Sequence, residues 1–329
     1  MPGIVYGCIT PHPPVMLSQI GKGREAEVSA SIEAMGQVCR ELAQQKVDSA
    51  LIVSPHGTVF SDAMGILTAP YCQGSMLQWG ASGIDYRFEN DLELVTALQD
   101  QAGDAGISLN SIGHSGYDLD HGVMVPAYFL IDVLKTRPLV PLSFSMLPLE
   151  THLEFGRAVG RAALRTGKRV AFIASGDLSH RLLPEAPAGF DPLGQVFDQE
   201  VTKAVSSLDS QVIMNMDREL VTRAGECGLR SIVVLLGALE GRGVTPKVLS
   251  YEGPFGVGYL TASFVVAEKA DETEEHPLVQ LARETVEQYV HTYTVKEPSV
   301  ELSEEMRQQA GVFVSIKRAG HLRGCVGTA

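Results

Sequence analysis

A chain of 329 residues with a formal net charge of -13, 45% hydrophobic and 20% charged residues can build one large core or two domains and has an ordinary globular composition. The acidic balance, with no cluster of Lys and Arg, argues against a nucleic-acid surface or an anionic membrane as partner and leaves a small molecule or a metal. Five widely spaced cysteines without a C-x-x-C pair argue against a disulfide framework or a thiolate zinc site, and no apolar run nears the roughly 18 residues of a membrane span; a reduced, cytoplasmic protein without a leader is expected.

Residues 4–10 read as a strand that runs into Pro11-His12-Pro13-Pro14, and residues 24–45 carry apolar side chains at helical spacing, as a crossover helix does. Residues 47–57 form an apolar, β-branched run that stops on Pro55-His56-Gly57. In an α/β protein such a run is a buried parallel strand, and the residues just beyond its C-terminal end face the ligand crevice. His56 is therefore expected at a site. Short strands are expected at 64–69 and 75–79, and a helix at 90–102 with Asn90 as its N-cap. A polar loop, 114–122, leads into an apolar helix at 123–134; a strand at 139–146 and a helix at 150–165 come after it, with Gly167 closing the helix.

The strand at 169–175 delivers Gly176-Asp177-Leu178-Ser179-His180, and a proline-rich loop, 182–192, comes next. Helices are expected at 193–206, 218–224 and 229–239. A strand at 246–250 runs into Tyr251-Glu252-Gly253, and the last strand is 258–267. The glycine-rich stretch 253–258 lacks the lysine and helix of a phosphate-binding loop, so it reads as a turn between antiparallel strands. Residues 268–275 hold five acidic residues and one lysine, a linker composition. Beyond it come a helix at 278–292, an extended piece at 295–300, an alternating strand at 311–317 and the run 322–328. About fifty residues rarely make an adequate core, so this part reads as the start of a larger domain. The expected organisation is a domain at 1–268, an acidic linker at 269–277 and a partial domain at 278–329. The expected fold is α/β: a central, mostly parallel mixed sheet flanked by helices, with a partial α+β C-terminal extension.

Imidazoles and a carboxylate on different strand ends are a ligand set that leaves open positions on ferrous iron. His12, His56 and Glu252 are separated by 44 and 196 residues, so no local motif assembles them and only the fold can. Thr10-Pro11-His12-Pro13-Pro14, Ser54-Pro55-His56-Gly57, Asp120-His121-Gly122, Gly176-Asp177-Leu178-Ser179-His180 and Tyr251-Glu252-Gly253 resemble the motifs of the class III extradiol ring-cleavage dioxygenases. The likeness is to the LigB-like catalytic subunit, whose superfamily includes the Memo proteins, and it spans about residues 1–267. It implies a mononuclear Fe(II) held by His12, His56 and Glu252, with Zn2+ or Cu as the alternative metal. It implies His180 as the acid/base residue and His121 as a second polar group on the substrate, a small catechol-type aromatic diol, or on dioxygen. Asp177 would orient an imidazole.

The segment from Gly311 to Lys317 followed by Leu322-Arg323-Gly324-Cys325-Val326-Gly327-Thr328 resembles the start of an AMMECR-type domain. That neighbour implies a competing role, a Memo-like metal-binding accessory or regulatory protein that works with a radical-SAM partner and cleaves no ring. The superfamily also implies a homodimer or a separate small subunit. Two blander expectations stand beside these: His114, Asp118 and Asp120 belong to an ordered polar loop rather than a second cation site, and His152 and His291 are helix residues without a chemical role. A zinc hydrolase with His180 as base fits the ligands but lacks a water-activating glutamate near them.

Overall fold

The computed structural model describes residues 2–113, 117–267, 277–295, 312–318 and 321–328. His114, the acidic linker expected at 269–277 and the extended piece expected at 295–300 lie outside them, apart from Pro277 and Val295. The chain divides into two compact units, Met1–Ala267 and Glu268–Ala329.

In the first unit the strands are β1 (Gly3–Thr10), β2 (Ser49–Ser54), β3 (Met64–Ile66), β4 (Tyr71–Ser75), β5 (Asp85–Glu89), β6 (Leu109–Ser111), β7 (Tyr117–Asp118), β8 (Leu139–Ser143), β9 (Arg169–Ser175), β10 (Val244–Glu252) and β11 (Tyr259–Val266). Eight of them form one sheet in the order β10-β11-β1-β9-β2-β8-β3-β6. The central strands β1, β9, β2 and β8 are mutually parallel, and every residue of β1, β2 and β8 is buried. Such strands are apolar on both faces because helices cover both. Along β2, Leu51 and Val53 enter one core and Ala50 and Ile52 enter the other, as the period-2 alternation of a strand requires.

The helices are α1 (Ser18–Gly21), α2 (Ser29–Gln44), α3 (Leu92–Asp104), α4 (His121–Leu134), α5 (Leu149–Thr166), α6 (Pro192–Ser207), α7 (Ser210–Met214), α8 (Arg218–Ala224) and α9 (Leu229–Leu239). One core takes Leu94 of α3, Phe155 of α5 and Val233 of α9; the other takes Val38 of α2 and Leu130 of α4. Gly167 ends α5 at φ 69°, where a side chain would be strained. The glycine-rich turn joins β10 to β11, which pair antiparallel.

The structure corrects the local reading in three places. Residues 75–79 are not a strand: β4 ends at Ser75, and Leu77–Trp79 is a 3-10 turn closed by Gly80 in the left-handed region. Asn90 does not cap α3. Its amide donates to Leu67 O and Ala69 O, both at 2.8 Å, and the cap is Asp91, which accepts from Leu94 N at 3.1 Å. The expected helix at 24–45 is a 3-10 segment, Arg24–Val28, followed by α2. Strands β5, β6 and β7 escape sequence reading because they are short and largely polar.

His152, in α5, is a satisfied core histidine. It is fully buried, its Nδ1 donates to Pro148 O at 2.9 Å, and its Nε2 accepts from Ser145 N at 3.3 Å. Burial pushes its pKa down to about 4. An unfolded imidazole takes its proton near pH 6.5, so between about pH 6.5 and 4 the unfolded chain binds a proton that the native state refuses. Stability from His152 is whole above that window and falls with falling pH, by about 3 kcal/mol in total. Denaturant unfolding of His152→Gln across the window should lose less stability in total than wild type, by up to that amount; equal losses would remove His152 as the cause.

The second unit contains α10 (Pro277–Thr292) and the antiparallel pair β12 (Val312–Arg318) and β13 (His321–Thr328).

Candidate metal centre

The site grows from the sheet's edge. In the parallel ladders Thr10 is level with Ser175, Val53 with Ala174 and Ser54 with Ser143, so β1, β9 and β2 release their chains at one level and side by side. His12 comes two residues after β1, His56 two after β2, and Asp177 and His180 come after β9. This is the crevice beyond the carboxyl ends of parallel strands where α/β proteins bind ligands.

His12 is buried, and its Nε2 lies 3.0 Å from Nε2 of His56. Its Nδ1 lies 3.0 Å from the Ser175 hydroxyl, which in turn donates to Gly122 O at 2.5 Å. Since that hydroxyl proton is committed to Gly122, the oxygen accepts, Nδ1 carries the imidazole proton and Nε2 presents a lone pair towards His56. Burial holds His12 well below the ordinary histidine range, helped by His56, and it lowers His56 and His180 as well; His121 is pushed down to about 4. Neutral imidazoles carry free lone pairs, and two of them, His12 and His56, have donor atoms within reach of one ion. At 3.0 Å apart, the Nε2 atoms of His12 and His56 are close enough that both could hold one ion.

The Asp120-His121-Gly122 loop is explained by its contacts. Asp120 caps α4, accepting from Gly122 N at 2.8 Å, and also accepts the Ser54 hydroxyl at 2.6 Å; Ser54 Oγ accepts from His56 N at 3.2 Å. The cap thus ties the first turn of α4 to the end of β2. His121 stacks on His56 at 4.2 Å between ring centroids. A Cβ on Gly122 would stand 2.4 Å from Ser54 Oγ, so the tie admits glycine alone.

Asp177 and Cys227 complete the group. Asp177 Oδ1 accepts from His12 N at 3.1 Å, and Oδ2 lies 3.7 Å from His12 Nε2. Burial raises Asp177 to about 7 while it lowers His12, so the pair is not a fixed ion pair; desolvation favours neutrality in both. Cys227 Sγ is 3.7 Å from His12 Nε2 and accepts from Asp177 N at 3.3 Å. The donor atoms of His12, His56 and Cys227 lie within 4.8 Å of one another, as do those of Asp177, His180 and Cys227. Burial, and then Asp177, push the Cys227 thiol well above its usual range. A bound cation would reverse that preference.

Of the residues expected from sequence, His12, His56 and His121 come together, and His180 joins them through its donor group with Asp177 and Cys227. Glu252 is not brought into either group. Its carboxylate accepts from Ser31 N at 2.6 Å, in the first turn of α2, a helix with no side-chain cap of its own; the helix N-terminus is a natural seat for a carboxylate. Glu252 is level with Tyr259 across the β10–β11 ladder, and Tyr259 feels the charges of both Asp177 and Glu252. Cys227 was missed because it belongs to no motif. The available signal was Gly228 after it, which with Gly176 allows two backbones to touch.

Asp198 of α6 was missed as well. It is fully buried, accepts from Ser179 N at 2.8 Å and from the Tyr251 hydroxyl at 2.7 Å, and so ties the loop of His180 to the end of β10. His180 Nε2 is buried and has no hydrogen-bond partner among the described residues, which a ligand donor would supply. Asp118 is exposed and belongs to neither donor group.

Comparison with known proteins agrees with this architecture. The family model described as the catalytic LigB subunit of aromatic ring-opening dioxygenase matches residues 6–262, and the AMMECR1 model matches residues 279–329. Protein CA_C1420 of Clostridium acetobutylicum is 34% identical over 97% of this chain and 74% of its own length. A 3,4-dihydroxyphenylacetate 2,3-dioxygenase of Escherichia coli is 23% identical over 70% of this chain and 88% of its own. A MEMO1 family protein, Mbar_A1422 of Methanosarcina barkeri, is 29% identical over 44% of this chain and 52% of its own. The crystal structure of an uncharacterized protein, JW3007, from Escherichia coli superposes with a TM-score of 0.56 at 15% identity, covering 79% of this chain and 99% of that one, a likeness of fold.

Proposed function

Because the chain belongs to the family of the catalytic LigB subunit of aromatic ring-opening dioxygenases, followed by an AMMECR1 segment, we propose that it is a non-haem Fe(II)-dependent oxidoreductase of the extradiol type, acting on a small catechol-like diol with dioxygen. The observation that carries this reading is the pair of neutral imidazoles, His12 and His56, with Nε2 atoms 3.0 Å apart.

When bound, the metal supplies a Lewis acid that acidifies a diol hydroxyl and holds the diol beside dioxygen. His12 and His56 are the two residues that would hold it, and Ser175 keeps the His12 lone pair on Nε2. The third donor grouped with them is Cys227, while Glu252 accepts from Ser31 N through Oε1, which leaves Oε2 outside that bond. His180, neutral and with Nε2 buried and unpartnered among the described residues, would accept the proton that the diol gives up. His121, held neutral beside His56, offers a hydrogen bond to substrate or dioxygen.

Anaerobic loading with Fe(II), then an oxygen-uptake screen over a catechol panel, tests the reading. Oxygen consumption with a coloured ring-opened product is expected. No uptake across the panel by protein that retains iron would sink the enzymatic reading.

One observation favours a second reading. Cys227 in the donor group is a soft ligand, suited to copper or zinc. With the MEMO1-family relative and the AMMECR1 segment, it supports a metal-binding accessory protein whose partner would be a radical-SAM enzyme. Tight retention of Zn2+ or Cu without oxygen uptake would favour it.

A further inference from the structure

The protein has a single tryptophan, and it stands over the histidines. Trp79 closes the 3-10 turn Leu77–Trp79 between β4 and β5, and its ring centroid lies 5.3 Å from that of His121, tilted by 54°. His121 in turn stacks on His56, so indole and both imidazoles form a continuous run of rings leading to His12.

The turn is built to hold this position. Its base is buried: Met76 and Ala81 are bonded to each other through Ala81 N to Met76 O at 3.2 Å, and Met76 N donates to Ile84 O at 3.0 Å. Below it, β4 pairs in parallel with β7, and Leu119 N donates to Gln73 O at 2.7 Å, so the hairpin carrying Trp79 is hydrogen-bonded to the segment that enters His121. The backbone on both sides of the ring contact is thereby fixed.

Despite this anchoring, Trp79 is 41% exposed and Leu77 66% exposed. Fold stability gains little from an indole left half in water, since its contribution scales with the area it buries. An aromatic ring rigidly held beside ligand-binding imidazoles, with a free remainder of surface, is suited to a flat aromatic partner through offset or edge contacts.

We propose that Trp79 is a specificity-determining residue that packs against the aromatic ring of the site's ligand, selecting ring-bearing diols over small chelators that lack a ring. The inference rests on the reading of His12 and His56 as a metal-binding pair, because the ligand's oxygens are held there while its ring meets Trp79.

The test uses the full chain, loaded anaerobically with Fe(II), and two probes: catechol, which is aromatic, and acetohydroxamate, a bidentate chelator without a ring. In wild type, catechol binding should alter the emission of the single tryptophan. By calorimetry, Trp79→Ala should weaken catechol roughly 5- to 10-fold, the size of an aromatic contact, and leave acetohydroxamate unchanged; Trp79→Phe should recover most of the loss. Equal weakening of both probes, or of neither, overturns the inference while leaving the metal reading intact. Failure of the wild-type protein to retain Fe(II) or to bind either probe overturns the metal reading and this inference with it.

Discussion

His12→Ala and His56→Ala should each strip the protein of metal and abolish oxygen uptake, whereas His180→Ala should retain metal and lose only the reaction. That is the expected pattern if the paired Nε2 atoms, 3.0 Å apart, are ligands and His180 moves a proton. Removing a hydrogen bond that orients a ligand already costs 10- to 100-fold in metal affinity, so removing a ligand should cost more than about 100-fold. Ser175→Ala gives the intermediate case, because it frees the His12 tautomer without touching Nε2; a 10- to 100-fold weakening is expected. Loss of a positioned acid/base group lowers the rate by about 100- to 10,000-fold. Metal content by elemental analysis and oxygen uptake on the same samples separate the two classes. Metal retained at wild-type affinity in His56→Ala would remove the pair from the site, and unchanged turnover in His180→Ala would remove that histidine from the mechanism.

Gly176→Ala should destabilise the first unit by about 3 kcal/mol or more, the upper end of overpacking costs. A Cβ there would stand 2.2 Å from Gly228 Cα and 3.1 Å from Gly228 N. Both are backbone atoms with no rotamer to yield. The same contact aligns Cys227 N and Gly228 N with Asp177 O, at 3.3 and 2.9 Å, so relief by backbone movement would draw Cys227 away from His12. A fall in Tm of several degrees is expected for a unit of this size, with weakened metal binding in whatever protein folds. The control is Gly103→Ala in α3, where a Cβ meets nothing within 4 Å and the substitution should be neutral or stabilising by up to about 1 kcal/mol. Equal Tm values for the two variants would show that the close approach of Gly176 and Gly228 carries no strain.

The strands that matter most to the site were legible because each carries a run of β-branched residues with a turn signal and a histidine behind it. Periodicity reports local burial, and burial on both faces is what β1, β2 and β9 experience. The same logic failed for residues 75–79, whose apolar Met76, Leu77 and Trp79 serve different masters: Met76 anchors the turn, Leu77 faces outward and Trp79 lies half-exposed against His121. It also failed at Asn90, where two equally good capping residues stand side by side and only the carbonyls of Leu67 and Ala69 decide between them.

The chain's residue order was enough to say that His12, His56 and His180 each come after a buried strand. Which strand ends are neighbours is a property of the sheet alone. Parallel neighbours at about 4.8 Å spacing bring His12, Asp177 and His56 within bonding distance across 44 and 165 residues of chain, while Glu252, at the end of β10, accepts from Ser31 N in the first turn of α2. Cys227 enters through a contact of two glycine backbones, and Trp79 through the pairing of β4 with β7. Hydrophobic pattern encodes how deeply each strand is buried but carries no information on strand order, so which of these residues meet was decided only when the strands took their order in the sheet.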